Sequence, residues 1–234
     1  MVATLAQYRS QLIEFISQYS DDSVFSYRYL EDQIIIWTNK WFCNTYEKFS
    51  KDIPELYYQT IECLEIEQAD QAECCEFQTG CTIMRTKLEV PGFRSLSDGE
   101  LFVKAWPVSV YQNTPTNLFD IIDFERADGY GNLRYNANRI AAFYYKNRIY
   151  LISKEFPTLS LIDKINVRGI FRDPRDVGNF TNCANKPCWT PLSPFQLEER
   201  LWTYAFKDIT TDLLDKLKVP QDRVNNANDE LDAR

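Results

Sequence analysis

The chain has 234 residues, 26 basic and 34 acidic side chains, a formal net charge of −8 and no histidine. Because imidazole is absent, the chain cannot form a Ser-His-Asp triad, a Cys-His dyad or an HExxH zinc site, and most familiar hydrolase mechanisms are excluded. The net charge has the wrong sign for holding nucleic acid by phosphate neutralisation, so we expect no DNA binding by the free monomer.

The charge is unevenly distributed along the chain. Residues 1–80 carry 14 acidic and 5 basic side chains, whereas residues 81–190 carry 11 acidic and 15 basic side chains. This asymmetry favours copies that meet head to tail, with the acidic part of one against the basic part of the next. Salt screening keeps this electrostatic attraction between copies modest.

Two features of the sequence concern its compartment. The sequence has no apolar run near the roughly 20 residues that a membrane span needs, and residues 1–11 lack the basic and apolar regions of a signal peptide. We therefore expect a soluble protein that is not exported. Its seven cysteines, an odd number, are then expected to remain reduced thiols.

Helical spacing of apolar residues marks the first 64 residues. It predicts a helix over about 4–19 and a second helix that follows the capping residues 20–23 and ends near Phe49. The second helix is apolar on more than one face. Trp37 and Trp41 lie on it, and tryptophan is enriched at subunit interfaces, so both are candidate interface residues. Pro54 and the apolar residues of 56–64 predict a short third helix.

The middle of the chain has the composition of a β subdomain. Segments rich in β-branched and aromatic residues predict strands, separated by long loops around 91–99 and 128–138. The Lys146-Asn147 pair between two such segments predicts a hairpin. The predicted strand regions are residues 82–90, 101–106, 119–124, 140–145, 149–153 and 159–170.

Helical pattern returns near residue 193. Ser193-Pro194-Phe195-Gln196 matches a capping box with proline at the first helical position, and apolar residues then continue to Pro220. A break is possible near Lys207-Asp208. Residues 221–234 contain little to bury and predict a flexible arm. Its side chains Asn225, Asn226 and Asn228 can donate and accept hydrogen bonds, so they are candidate interface residues.

These elements predict an α+β fold in four regions. Residues 1–64 form an N-terminal helical region, and residues 65–190 form an inserted, mainly antiparallel β subdomain with long loops. Residues 191–219 form a C-terminal helix that packs on the N-terminal helices, and residues 220–234 form the arm.

Two groups of side chains raise the question of a catalytic or metal site. The carboxylates of Asp120, Asp123 and Glu125 lie within six residues, but no phosphate loop or lysine motif accompanies them, which favours a solvated strand edge. Five cysteines suggest a four-thiolate zinc site: Cys74, Cys75, Cys81, Cys183 and Cys188. Adjacent Cys74-Cys75 is not a CxxC knuckle, which favours structural thiols without metal. We predict no cofactor and no catalytic residue.

Six segments, in this order, carry a family resemblance: Asp21-Asp22-Ser23, Cys74-Cys75, and residues 80–87, 144–152, 164–174 and 220–229. Together they resemble a virion structural protein of crAss-like tailed bacteriophages. The protein is similar to the head-to-tail connector, or ring, proteins below the portal, and the resemblance covers most of the chain.

The resemblance implies a role without catalysis. A ring protein of this kind extends the portal's DNA channel and gives the tail a docking surface in the virion neck, after assembly in the host cytoplasm. The adaptor type of connector uses a helical bundle for subunit contacts and a C-terminal arm that reaches the portal. Expected partners are further copies in a ring of about twelve, the portal protein, and other neck or tail ring proteins.

Genomic DNA is expected to pass through the channel without sequence-specific binding, since an acidic lining repels phosphates. No membrane partner is expected. Two alternatives remain open: a small cytoplasmic enzyme that uses the three carboxylates, and a zinc-stapled binding module that uses the cysteines. Metal content and solution mass distinguish them.

Overall fold

The computed structural model describes residues 3–19, 25–47, 53–69, 83–97, 99–108, 118–130, 139–153 and 160–217. The chain divides into two compact units. The helical unit combines Met1–Asn44 with Leu197–Arg234, and the barrel unit is Thr45–Gln196. The predicted arm, with Asn225, Asn226 and Asn228, lies outside the described residues.

Three long helices are present in the described residues: α1 (Leu5–Ser17), α2 (Tyr27–Tyr46) and α3 (Glu199–Leu217). The hydroxyl of Thr4 accepts from the backbone N–H of Gln7, whose side chain accepts from the backbone N–H of Thr4, and this capping box starts α1. The first two predicted helices and the C-terminal helix are confirmed, with shorter bounds. The predicted break at Lys207-Asp208 is wrong, because α3 is continuous there.

The contacts of α3 are with both other helices. The Trp202 ring packs against Tyr8 of α1 in a tilted arrangement with 4.4 Å between ring centroids, and its indole N–H donates to the side-chain oxygen of Gln11 at 2.9 Å. Tyr204 stacks on Trp41 of α2 at 4.9 Å. These aromatic pairs therefore hold α3 against α1 and α2 in the helical unit. Their ring contacts add stability beyond that of the apolar area they bury.

The predicted helix start at Ser193 is wrong. The hydroxyl of Ser193 accepts from the backbone N–H of Thr190 at 3.0 Å, so it closes a turn instead of capping a helix. Phe195 is almost fully buried. Burial of that ring holds the segment in a non-helical path, and α3 begins only at Glu199.

The barrel unit contains nine strands in its described residues: β1 (Gln59–Gln68), β2 (Ile83–Thr86), β3 (Ser95–Leu96), β4 (Gly99–Glu100), β5 (Phe102–Pro107), β6 (Asp120–Ile121), β7 (Ala141–Tyr145), β8 (Arg148–Ile152) and β9 (Lys164–Gly169). Each of the six predicted strand regions contains a strand. Seven strands form one sheet in the order β5-β9-β1-β2-β8-β7-β6, and β3 pairs with β4. Every pair is antiparallel except the parallel pair of β6 and β7. The α+β class is thus confirmed.

The predicted third helix is wrong. Residues Glu55–Tyr57 form one turn of 3-10 helix, and β1 follows from Gln59. The pairing of β1 with β9 shifts register between Ile61 and Leu64, which marks a β-bulge. Cys63 in this bulge has φ 57°, and its backbone N–H donates to the side-chain oxygen of Asn166 at 3.0 Å.

The β7–β8 hairpin is confirmed with the predicted two-residue turn. Tyr145 pairs with Arg148, and the turn residues Lys146 and Asn147 have φ 46° and 58°. Positive φ at both positions is the type I′ geometry that matches the right-handed twist of the strands. The hairpin is buried on both sides at Phe143 and Leu151, which is why its two strands consist almost entirely of apolar and aromatic residues.

The two end strands of the sheet approach each other. The backbone N–H of Phe119, just before β6, donates to the carbonyl oxygen of Ala105 in β5 at 3.0 Å. This bond nearly closes the sheet into a barrel. A cluster of buried residues fills one side of it: Ala69, Ile83, Ala127, Tyr130, Ala141, Phe143, Tyr150 and Ile152. Among the described residues, no helix has the length and apolar content to cross a membrane.

Candidate interaction surfaces

The candidate interface residues of α2 lie on the helical unit. Trp41 stacks on Tyr204, and its indole N–H donates to a carboxylate oxygen of Asp208 at 2.9 Å, so its ring helps to join α2 and α3. Trp37 is half-buried, and the Lys40 ammonium lies 4.1 Å from its ring centroid. Ile36 beside it is 57% exposed. Trp41 therefore has a structural role within the unit, and Ile36 and Trp37 offer the accessible apolar surface.

The predicted carboxylate group does not form one acid-base site. Asp120 accepts from the Tyr130 hydroxyl at 2.5 Å and lies 3.3 Å from a guanidinium nitrogen of Arg139. Burial of Tyr130, together with its bond to Asp120, raises the pKa of the Tyr130 hydroxyl. Asp123 instead forms an exposed ion pair with Arg126 at 3.7 Å. Asp120 therefore belongs to a structural network at the edge strand β6.

A groove opens between the end strands of the barrel unit, and we call it the β5–β6 groove. Its volume is about 680 Å³. It is lined by Ser97, Gly99, Glu100, Phe102, Ile121, Ile122, Asp123, Phe124, Glu125, Arg126 and Tyr144. Two of the three predicted carboxylates thus lie in the same groove, beside Glu100, which the sequence did not single out. Partial burial of Glu100 raises its pKa, opposed by the charge of Arg172.

Cys63 and Cys183 form a disulfide with 5.3 Å between their Cα atoms. The prediction of reduced thiols is wrong for this pair. The bulge of β1 brings Cys63 to the loop of Cys183, 120 residues later, and sequence spacing gives no sign of such a contact. Cys43 and Cys188 do not take part in a disulfide, and burial raises the pKa of the Cys188 thiol. The other predicted zinc ligands, Cys74, Cys75 and Cys81, lie outside the described residues.

A second, smaller groove of about 310 Å³ lies beside this disulfide. Glu62, Leu88, Phe180 and Asn182 are among the residues that line it. In the part of the chain that the structure describes, no group of three potential metal-ligating side chains has an arrangement that could hold a metal ion.

Part of the charge asymmetry along the sequence is neutralised within the barrel unit. Acidic side chains of β1 and the turn before it pair with basic side chains of the middle region. The ion pairs are Glu67 with Arg85 at 2.9 Å, Glu65 with Lys87 at 3.3 Å and with Lys164 at 3.8 Å, and Glu55 with Arg168. These charges therefore contribute less to contacts between copies than the sequence count indicates.

A family model described as phage tail ring protein 2, of the crAss group, matches residues 10–231, which is nearly the whole chain. No curated protein matches the chain.

Proposed function

Because the chain belongs to the phage tail ring protein 2 family of crAss-like phages, and is thus a structural component of the tail or neck, we propose that it forms a portal-proximal ring. This ring extends the DNA channel and docks the tail, without catalysis. The match over residues 10–231 carries the proposal, because it spans both the helical and the barrel unit.

We further propose a closed ring of about twelve copies, in which each copy makes the same heterologous contact with the next. Ile36 and Trp37 on α2 support a contact through the helical unit, since both offer apolar surface beside Trp41. Trp41 contributes by holding α2 against α3. Subunit contacts of this type place aromatic side chains at their centre.

The charge of the chain supports passage of DNA through such a ring. The net charge of −8 is multiplied in a ring, so the duplex phosphates meet a repulsive field and do not adhere.

The proposed contact with the portal uses residues 220–234. Asn225, Asn226 and Asn228 supply its hydrogen bonds, with Val224 and Leu231 as apolar anchors.

The test combines assembly with imaging. The purified chain is mixed with the portal protein of its phage, the mass of the complex is measured, and the particles are imaged by cryo-electron microscopy. We expect one ring of this chain on the portal. A virion neck that lacks a ring of this chain would contradict the proposal.

Two variants test the proposed contacts separately. The double substitution Ile36→Ala and Trp37→Ala should weaken ring formation while the monomer stays folded. Ile13→Ala, on the exposed face of α1, is the matched control.

Deletion of residues 220–234 should leave the thermal stability of the monomer unchanged and block incorporation onto the portal. Unfolding of this truncated chain would contradict the portal contact.

A further inference from the structure

Among the described residues, a backbone hydrogen bond joins β5 to the start of β6 at one end of the β5–β6 groove. Phe119 bonds to Ala105 at this end. Phe102, at the start of β5, lines the groove together with Ile121 and Ile122. Ile121 is the last residue of β6, and Ile122 follows it. The strands thus run in opposite directions and separate toward the start of β5. A space of about 680 Å³ takes the place of further strand pairing there.

Every second residue of β6 turns its backbone N–H and C=O groups toward this groove. The amides of Asp120 and Ile122 donate to the carbonyl oxygens of Ile140 and Ala142 at 2.9 and 3.1 Å, which is the side of β7. Because backbone groups alternate along a strand, the N–H and C=O of Ile121 turn to the other side, toward the groove. The groove therefore offers the edge of a strand.

The side chains around this edge combine an apolar floor with an acidic rim. Phe102 is buried, Ile121 and Ile122 are half-buried, and Phe124 is 36% exposed. Glu100, Asp123 and Glu125 are exposed carboxylates on the rim.

The balance of charge on this rim is negative. Against these three carboxylates stand two basic side chains: Arg126, which lines the groove and pairs with Asp123, and Arg172, whose charge acts on Glu100. The rim is thus complementary to a cationic partner and repels phosphates.

We propose that the β5–β6 groove binds an extended, basic segment of a partner polypeptide, which adds a strand to β6. An extended segment presents successive side chains to opposite faces. Apolar side chains at alternate positions then pack on Phe102 and Ile121, and lysine or arginine at the positions between them reach Glu100, Asp123 and Glu125. Main-chain hydrogen bonds to Ile121 supply affinity, and the acidic rim supplies selectivity.

The experiment uses the isotopically labelled full chain and a synthetic nine-residue peptide of alternating valine and lysine. Backbone amide shifts in nuclear magnetic resonance spectra locate the bound peptide. We expect saturable shifts centred on Ile121 and Glu100, and binding that weakens as salt is raised. A peptide of alternating valine and glutamate is the matched control and should not bind.

Two further arms separate charge from strand pairing. The double substitution Asp123→Lys and Glu125→Lys lies on exposed side chains and should weaken binding of the lysine peptide at least about tenfold. Glu14→Lys, an exposed charge reversal on α1, should leave binding unchanged. A lysine peptide in which every backbone amide is N-methylated has lost the donors needed for strand addition, and it should not bind to the unaltered protein.

Four results would overturn the proposal. These are equal binding of the glutamate peptide, amide shifts remote from the groove, undiminished binding of the N-methylated peptide, and self-association through the groove. Self-association would be recognised as a concentration-dependent dimer that the Asp123→Lys and Glu125→Lys substitutions abolish, and it would assign the groove to a second copy.

Discussion

The indole N–H of Trp41 donates to the carboxylate of Asp208 at 2.9 Å, a bond that joins two helices 167 residues apart in the sequence. Trp41→Phe keeps most of the ring area on Tyr204 and removes this donor. We expect the free energy of unfolding to fall by about 1 kcal/mol, measured by urea denaturation. Trp37→Phe on the same helix is the control and should change stability less. Equal losses in the two variants would show that the bond is not what Trp41 contributes.

The disulfide between Cys63 and Cys183 closes a long loop, so it restricts the unfolded chain strongly. Cys63→Ser with Cys183→Ser should lower the free energy of unfolding by about 2–4 kcal/mol, and Tm by roughly 5–15 °C. Reductant should lower the Tm of the native chain by the same amount and leave the Tm of the double variant unchanged. Alkylation of both cysteines in the unreduced, denatured protein, detected by mass spectrometry, would refute the bond.

Gly169 at the end of β9 has no room for a side chain. A Cβ there would lie 2.5 Å from a ring carbon of Phe93 and 2.6 Å from the carbonyl oxygen of Leu101, and the backbone oxygen cannot swing away. We expect Gly169→Ala to cost about 1–3 kcal/mol in thermal or urea unfolding. At Gly92 the nearest atoms would lie 3.6 Å away on the flexible Arg172 side chain, so Gly92→Ala should be close to neutral. Similar costs at both positions would contradict this account.

Two tyrosines are expected to make the folded protein less stable at alkaline pH. Burial raises the pKa of Tyr144 to about 12, with a further contribution from Glu100, and burial with the Asp120 bond raises the pKa of Tyr130 as well. Both hydroxyls stay neutral in the folded chain above pH 10, where the unfolded chain ionises them. Stability from this source is therefore complete below about pH 10 and is lost as pH rises toward the folded values. Thermal unfolding at pH 8–11.5 should show this decline, and Tyr130→Phe with Tyr144→Phe should make it shallower.

The sequence predicted those elements whose local signals agree with their tertiary environment. The β7–β8 hairpin was predicted correctly because Lys146-Asn147 can adopt positive φ and the flanking strands are rich in apolar and aromatic residues. The prediction failed at Ile61 and Leu64, which are three residues apart and both buried. A β-bulge adds one residue between two inward positions, so their spacing of two becomes three, which is also a helical spacing.

The candidate sites were less predictable than the fold. Ser193 has the local signature of a helix cap, but Phe195 is drawn into the core, and only the tertiary structure contains that information. The β5–β6 groove depends on how two strands separate, so Asp123 and Glu125 were recognisable as exposed carboxylates while their proximity to Glu100 was not. The disulfide likewise joins residues whose distance along the chain conveys nothing about contact.

The helical unit is discontinuous, and this sets an order of events during translation. The ribosome synthesises α1 and α2 first, then the rest of the barrel unit, and α3 only after it. The barrel unit is local in sequence and can fold while the chain is still attached. Tyr8 and Phe15 must wait for Trp202 and Phe206, which are synthesised only after the barrel unit. A chain released early by premature termination thus lacks a finished helical unit and should be cleared by proteolysis before it can enter a growing particle.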